Sequence, residues 1–106
     1  MPKYMIRASY TVEGVKGLLK DGGTARMKAV ETAVRGVGGK VEGFYFAFGH
    51  DDAIVIVDVP DAESAAALSL AVSASGAVAT ETTVLLTPTE MDGATKKAVP
   101  YRAPGR

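Results

Sequence analysis

Residues 44–61 read Phe44-Tyr45-Phe46-Ala47-Phe48-Gly49-His50-Asp51-Asp52-Ala53-Ile54-Val55-Ile56-Val57-Asp58-Val59-Pro60-Asp61. Two apolar runs with strong strand character flank the polar segment 49–52, and this pattern predicts a β-hairpin. Asp61, directly after Pro60, predicts the N-cap of a helix that follows the second of these strands. The stretch therefore predicts two adjacent antiparallel strands that lead into a helix.

The residues before the hairpin predict one strand and two helices. Polar and apolar residues alternate through residues 3–10, which is the period of a β-strand. Thr11 is a suitable N-cap for a short helix over residues 12–20. A second helix carries one apolar stripe and ends at a glycine pair; the stripe comprises Met27, Val30, Val34 and Val37.

The residues after the hairpin complete the pattern. An alanine-rich helix extends from Asp61 to Gly76, and a strand rich in valine and threonine follows over residues 78–87. The resulting order is βαββαβ, which predicts a ferredoxin-like α+β fold with a four-stranded antiparallel sheet and its helices on one face. We expect one domain over residues 1–87, and a short helix over residues 89–98 with an extended arm within residues 88–106.

Composition excludes several classes of function. Twelve basic and twelve acidic side chains balance among the 106 residues, so no net charge favours nucleic acid or an anionic membrane. The absence of cysteine excludes disulfides, thiol catalysis and cysteine-based metal sites. No segment predicts a signal peptide or a membrane span, so a cytoplasmic location is expected.

The two hairpin strands are apolar on both faces, which predicts self-association. The phenylalanines of the first strand fall on one face, whereas Ile54 and Ile56 fall opposite Val55 and Val57 in the second strand. Two helices can cover only one face, and monomers rarely expose a contiguous apolar patch. We expect a homodimer or a higher oligomer. The alternative is that the C-terminal arm folds back over the patch.

The chain resembles the GYD domain family, which is named for a Gly-Tyr-Asp signature at the end of the second strand. The matching segments span nearly the whole chain: Tyr10-Thr11, Gly17-Leu18, residues 22–26, residues 38–40, Phe44-Tyr45, Gly49 and Asp52, residues 57–61, residues 71–76 and Thr82-Thr83. The resemblance implies a subunit of the dimeric α+β barrel kind, and the family has no established general activity. Asp51 stands where the signature has its tyrosine.

One candidate ligand site lies at the start of the second helix. Gly22, Gly23 and Thr24 offer backbone N–H groups there, and Arg26 adds a guanidinium. Such a combination suits a carboxylate or a phosphate. The alternative is that the glycines only turn the chain and that Arg26 pairs with a nearby acid.

A second group of candidate residues belongs to the strands and the hairpin turn. His50 beside Asp51 and Asp52 is a candidate base, or else an exposed turn residue. Arg7 and Tyr45 are strand residues that could line a ligand cavity between subunits, or else flank a filled sheet face. Adjacent residues of a turn diverge, so no metal site is expected at 50–52.

We therefore expect a self-associating module that binds a small anionic or apolar ligand, or that serves regulation or assembly. The alternative is a cofactor-independent oxygenase or isomerase of the dimeric-barrel class. In that case Tyr45, Arg7 or His50 would polarise the substrate in a pocket between the sheet and the helices. Neither function requires a cofactor.

Overall fold

The computed structural model describes residues 1–106 and contains the predicted order of elements. Four strands and four helices follow one another along the chain: β1 Lys3–Tyr10, α1 Val12–Asp21, α2 Gly23–Gly36, β2 Lys40–Phe46, β3 Ala53–Asp58, α3 Ala62–Ala74, β4 Val78–Leu85 and α4 Pro88–Thr95. The predicted α+β class is confirmed. None of the four helices combines the length and the apolar character that crossing a membrane requires.

The four strands form one sheet in the order β2-β3-β1-β4, and every neighbouring pair is antiparallel. The hairpin joins β2 to β3, whereas helical connections carry the chain from β1 to β2 and from β3 to β4. This order is compatible with the ferredoxin-like arrangement that the sequence predicts.

Both side-chain N-caps that the sequence predicts are present. The Thr11 hydroxyl accepts a hydrogen bond from the Gly14 N–H at 3.3 Å, and the Asp61 carboxylate accepts one from the Ser64 N–H at 2.8 Å. Each bond satisfies an N–H group that the first turn of a helix leaves without a partner.

The core lies between one face of the sheet and the helices α2 and α3. Val57 is fully buried there, and it belongs to the same cluster as Val34 of α2 and Leu68 of α3. Only eleven residues of the chain are buried. α2 packs mainly over β2 and α3 over β4, and the two helices do not approach each other closely along their length. The helix layer is consequently incomplete above the two central strands.

The opposite sheet face, here called the open face, has no helix on it. At its centre Met5 pairs with Ile56, and Ile54 lies between Arg7 and Tyr45 on the neighbouring strands. The three apolar side chains of this centre are half-buried, because the neighbouring strands flank them while nothing lies above them. The predicted one-sided helix cover is therefore present.

The first hairpin strand is shorter than its apolar run suggests. β2 ends at Phe46, and Phe48 lies beyond it as a fully exposed side chain. Phe46 lies on the helix side of the sheet, where its ring packs edge-on against Phe44 with centroids 5.3 Å apart. Phe48 therefore extends the helix-side face rather than the open face.

The C-terminal segment projects from the domain. α4 begins with a capping box formed by Thr87 and Glu90, and it ends at Thr95 rather than at Ala98 as the sequence predicts. It makes no extensive contact with another helix or strand, and it buries none of its residues. The radius of gyration is 16.8 Å, whereas a compact domain of this length has about 13 Å. The arm thus leaves the open face uncovered.

The tight turn after α2 generates a stability prediction. A methyl group on Gly39 would lie 2.4 Å from the Asp58 carbonyl oxygen and 2.8 Å from Val59, whereas one on Gly17 of α1 would meet nothing within 4 Å. Gly39→Ala should lower the free energy of unfolding by about 1–3 kcal/mol through overpacking. Gly17→Ala should raise it by about 0.5–1 kcal/mol. Denaturant unfolding measures both, and a harmless Gly39→Ala would contradict this packing.

The cap of α3 generates a prediction with a defined pH dependence. Hydrogen bonds from Ser64 hold the pKa of Asp61 below its ordinary value of 3.8. The stabilisation is therefore complete above that pH and is lost as the pH falls through the lowered pKa. Asp61→Ala should reduce the melting temperature at neutral pH, and the deficit should shrink in acid. Glu63→Ala removes an exposed carboxylate of the same turn that makes no capping hydrogen bond; it is the control and should show a smaller loss, because only its interaction with the helix dipole disappears.

Candidate functional site

The predicted site residues divide between the two faces of the sheet. Arg26 lies on the helix side, together with Gly22 and Gly23 at the junction of α1 and α2. Arg7 and Tyr45 lie in one row of the open face, each beside Ile54. No single pocket can therefore collect all the side chains that the sequence singles out.

A cavity opens where the helix layer is incomplete, and it is here called the cleft. Its floor is a small apolar space of about 30 Å³ that lies over the centre of the sheet, beneath Val30 of α2 and Val72 of α3. Its mouth is a larger space of about 170 Å³ between α1, α2 and the start of β4. Tyr10, Arg26 and Val78 line both spaces, so the floor and the mouth adjoin.

Arg26 is the one basic residue among those that line the cleft. It is half-buried, and none of the ion pairs of the chain includes it. The alternative that Arg26 pairs with a local acid is therefore not adopted in the structure. A guanidinium without a partner beside apolar walls is suited to an anionic ligand.

The two glycines at the junction of α1 and α2 have structural roles of their own. Gly22 has a φ of +82°, which allows the chain to reverse between α1 and α2, and its N–H caps the carbonyl of Leu18. Gly23 lies against the ring of Phe46, and a methyl group there would come within 2.8 Å of that ring. Thr24 is exposed in the first turn of α2 and lines neither part of the cleft.

Asp52 links the end of the hairpin to β1 through two hydrogen bonds. Its carboxylate accepts a hydrogen bond from the Tyr10 N–H at 2.8 Å, and its own N–H donates to the Ala8 carbonyl at 2.8 Å. It also lines an open apolar groove of about 440 Å³ beside Phe46 and Phe48. Asp52 therefore holds β1 to the hairpin at the edge of this groove.

The open face carries a polar cluster in a shallow depression of about 160 Å³. Arg7 donates to the Glu81 carboxylate at 2.6 Å and lies 4.0 Å from that of Asp51. His50, largely exposed, lies 3.4 Å from the same Asp51. The Nε of Arg7 is buried and has no hydrogen-bond partner.

This position corrects one detail of the enzyme alternative. In such an enzyme, the sequence predicts Tyr45, Arg7 or His50 in a pocket between the sheet and the helices. Arg7 and Tyr45 instead share the open face, because the side chains of a strand alternate between its two faces. His50 of the hairpin turn lines the same depression as Arg7. A site built from these residues would have to be closed from the side opposite the helices.

Sequence reasoning missed a second charged group on the open face. Lys3 donates to Asp58 at 2.8 Å and to Glu42 at 2.6 Å. Asp58 is only 5 % exposed, and the hydrogen bonds to the two carboxylates raise the pKa of Lys3. Glu42 lies at a β-bulge between Val41 and Gly43. No local sequence pattern predicts this bulge, so the contact of Glu42 with Lys3 was not predicted either.

This network generates a stability prediction. Lys3→Met keeps the apolar stem but leaves the buried Asp58 carboxylate without a cation, which is costly. Glu42→Gln leaves the pair of Lys3 and Asp58 intact and is the matched control. Denaturant unfolding at neutral pH should show a large loss for Lys3→Met and a small one for Glu42→Gln. Adding Asp58→Asn to Lys3→Met should restore part of the loss, and equal losses in the two single variants would contradict the network.

The Lys3 contribution also has a defined pH range. Because the pKa of Lys3 is raised above its ordinary value of 10.5, the stabilisation is complete at neutral pH and is lost only as the pH rises through the raised value. The difference between the original chain and Lys3→Met should therefore be constant on the acid side of 10.5, as far down as the carboxylates stay ionised.

Comparison with known proteins identifies the family. The family model described as GYD domain matches residues 4–95, which extends from β1 through α4. No curated protein and no solved structure matches the chain. The chain therefore belongs to the GYD domain family, and the resemblance inferred from its sequence is confirmed.

Proposed function

We propose that this member of the GYD domain family is a cytoplasmic, self-associating module that binds a small molecule and serves regulation or assembly. One observation carries the proposal: the chain covers its sheet incompletely on both sides. The open face has no layer above it, and the helix layer leaves the cleft above the central strands. The first gap suits a second subunit, and the second suits a ligand.

The open face is composed like the centre of a subunit interface. Met5, Ile54 and Ile56 form its apolar middle, and burying one such side chain contributes roughly 1.5–3 kcal/mol. The charges that flank this middle are already paired within the chain, as Lys3 with Asp58 and Arg7 with Glu81. A second copy could therefore cover the middle without leaving an isolated charge buried, and a symmetric homodimer is the simplest such assembly.

Two neighbouring features support the same proposal. β4 is an edge strand of eight residues that contains no proline and no lysine and has no bulge in its pairing with β1. Such an edge readily pairs with another chain. The projecting arm carries Met91, Val99 and Tyr101 as exposed apolar side chains. A segment of this kind can pack against a neighbouring subunit.

The cleft favours binding over turnover. Proton transfer requires a base within hydrogen-bond reach of an enclosed substrate. Neither a histidine nor a carboxylate lines the cleft floor, and the carboxylates of its mouth are exposed. The polar cluster around Arg7 lies in an open depression that only a partner subunit could enclose. An oxygenase or isomerase of the dimeric-barrel class would therefore have to form its active site between subunits.

A mutation at the centre of the open face tests self-association. The double substitution Ile54→Thr and Ile56→Thr keeps two β-branched strand residues but removes apolar area from the open face. Val84→Thr makes the same kind of change on the helix side of β4, where the side chain is exposed, and is the control. Sedimentation velocity over a concentration series should show weaker association for the double variant, by about tenfold or more, and no change for Val84→Thr.

Two outcomes would contradict the proposed interface. One is association that is unchanged in the double variant, which would move the contact to another surface. The other is an equal loss in Val84→Thr, which would indicate a general effect on the sheet. Circular dichroism of both variants establishes that each has retained its fold.

A further inference from the structure

We propose that the ligand of the cleft is a small apolar monocarboxylate, with its carboxylate against the Arg26 guanidinium and the Tyr10 phenol. This inference rests on the proposed function, because it assumes that the cleft binds a small molecule. It adds the chemical class of that molecule and the two side chains that select it.

Two residues that carry hydrogen-bond donors, Arg26 and Tyr10, line both the floor and the mouth of the cleft. Arg26 lines both spaces and forms no ion pair. Tyr10 also lines both spaces, and its phenol has no hydrogen-bond partner within the chain. A carboxylate can accept from both groups at once, and a charge-assisted bond to a guanidinium is stronger than a neutral one.

The residues that line the cleft favour a ligand that is apolar apart from its carboxylate. Ten of the twelve residues that line the floor are hydrophobic. In the mouth, which is large enough for the apolar group, six of the twelve lining residues are hydrophobic, among them Leu18, Ala29 and Ala77. The mouth has a volume of about 170 Å³, and an apolar cavity of about 150 Å³ accommodates a benzene ring. A ring or a short branched alkyl group therefore matches the available space.

Two acidic residues at the mouth limit the ligand to one negative charge. Glu13 and Asp21 both line this space and are exposed to solvent. Glu13 has Lys16 at 3.9 Å, whereas Asp21 has no cation within 4.0 Å. Their charges would repel a phosphate dianion or a second carboxylate, whereas a single carboxylate can lie against Arg26. The cleft thus favours a monocarboxylate over the phosphate that the helix start alone suggests.

Isothermal titration with three probes tests this assignment. The probes are 3-phenylpropionate, its neutral amide, and inorganic phosphate. We expect the carboxylate to bind about tenfold or more tightly than the amide, because the amide lacks the charge. We expect phosphate to bind more weakly than the carboxylate. The amide has the same apolar group, so the comparison isolates the contribution of the charge.

Three variants and one control locate the site of the charge interaction. Arg26→Gln should weaken 3-phenylpropionate about tenfold or more and leave the amide unchanged, and Tyr10→Phe should weaken the carboxylate severalfold. Arg26→Lys keeps a cation and should restore part of the affinity. Arg35→Gln removes an exposed arginine from the last turn of α2 and should have no effect. Melting curves of each variant establish that the fold is retained.

The possible failures are distinguishable. If the carboxylate and the amide bind equally well and Arg26→Gln changes neither, the monocarboxylate assignment is overturned while the cleft still binds a small molecule. If phosphate binds most tightly, the assignment is overturned in favour of a polyanion. If no probe binds, this inference is overturned and the cleft loses its support as a ligand site. Self-association is tested separately by the open-face variants.

Discussion

The sheet has apolar side chains on both of its faces, and the chain has helices for only one. Side chains alternate between faces along a strand, so Val55 and Val57 enter the core while Ile54 and Ile56 face away from it. The C-terminal segment could have provided the missing layer, but α4 buries no residue and projects from the domain. The unfilled layer above the open face is therefore the feature on which the proposed assembly depends.

The helix side has a different kind of incompleteness. Because α2 lies over β2 and α3 over β4, the two helices meet little along their length, although Val34 and Leu68 belong to one core cluster. Toward the start of α2 they leave a cleft that contains Arg26 and is walled by apolar side chains. An unpaired cation in such a place contributes little to folding. We infer that Arg26 contributes to ligand binding. The open face of the sheet would then bind a second subunit, and the helix side would bind the ligand.

The sequence predicted the features that depend on local patterns. The βαββαβ order, the caps at Thr11 and Asp61, and the apolar stripe through Val34 follow from periodicity and capping chemistry, and all are present. Features that depend on tertiary packing could not be predicted in this way. Gly23 lies against the ring of Phe46, and Asp58 is buried beneath Lys3. Both contacts join residues far apart in the chain, so no pattern of neighbouring residues predicts them.

The molar mass of the wild-type chain in solution shows whether a second copy covers the open face. Multi-angle light scattering coupled to size-exclusion chromatography, over a series of loading concentrations, measures it without a label or a substitution. One chain has a mass of 10.9 kDa, and we expect a species that contains at least two chains. Dissociation on dilution should be confined to the lowest concentrations. A mass of one chain at the highest concentration would contradict the account, because the open face would then lie in water without a partner.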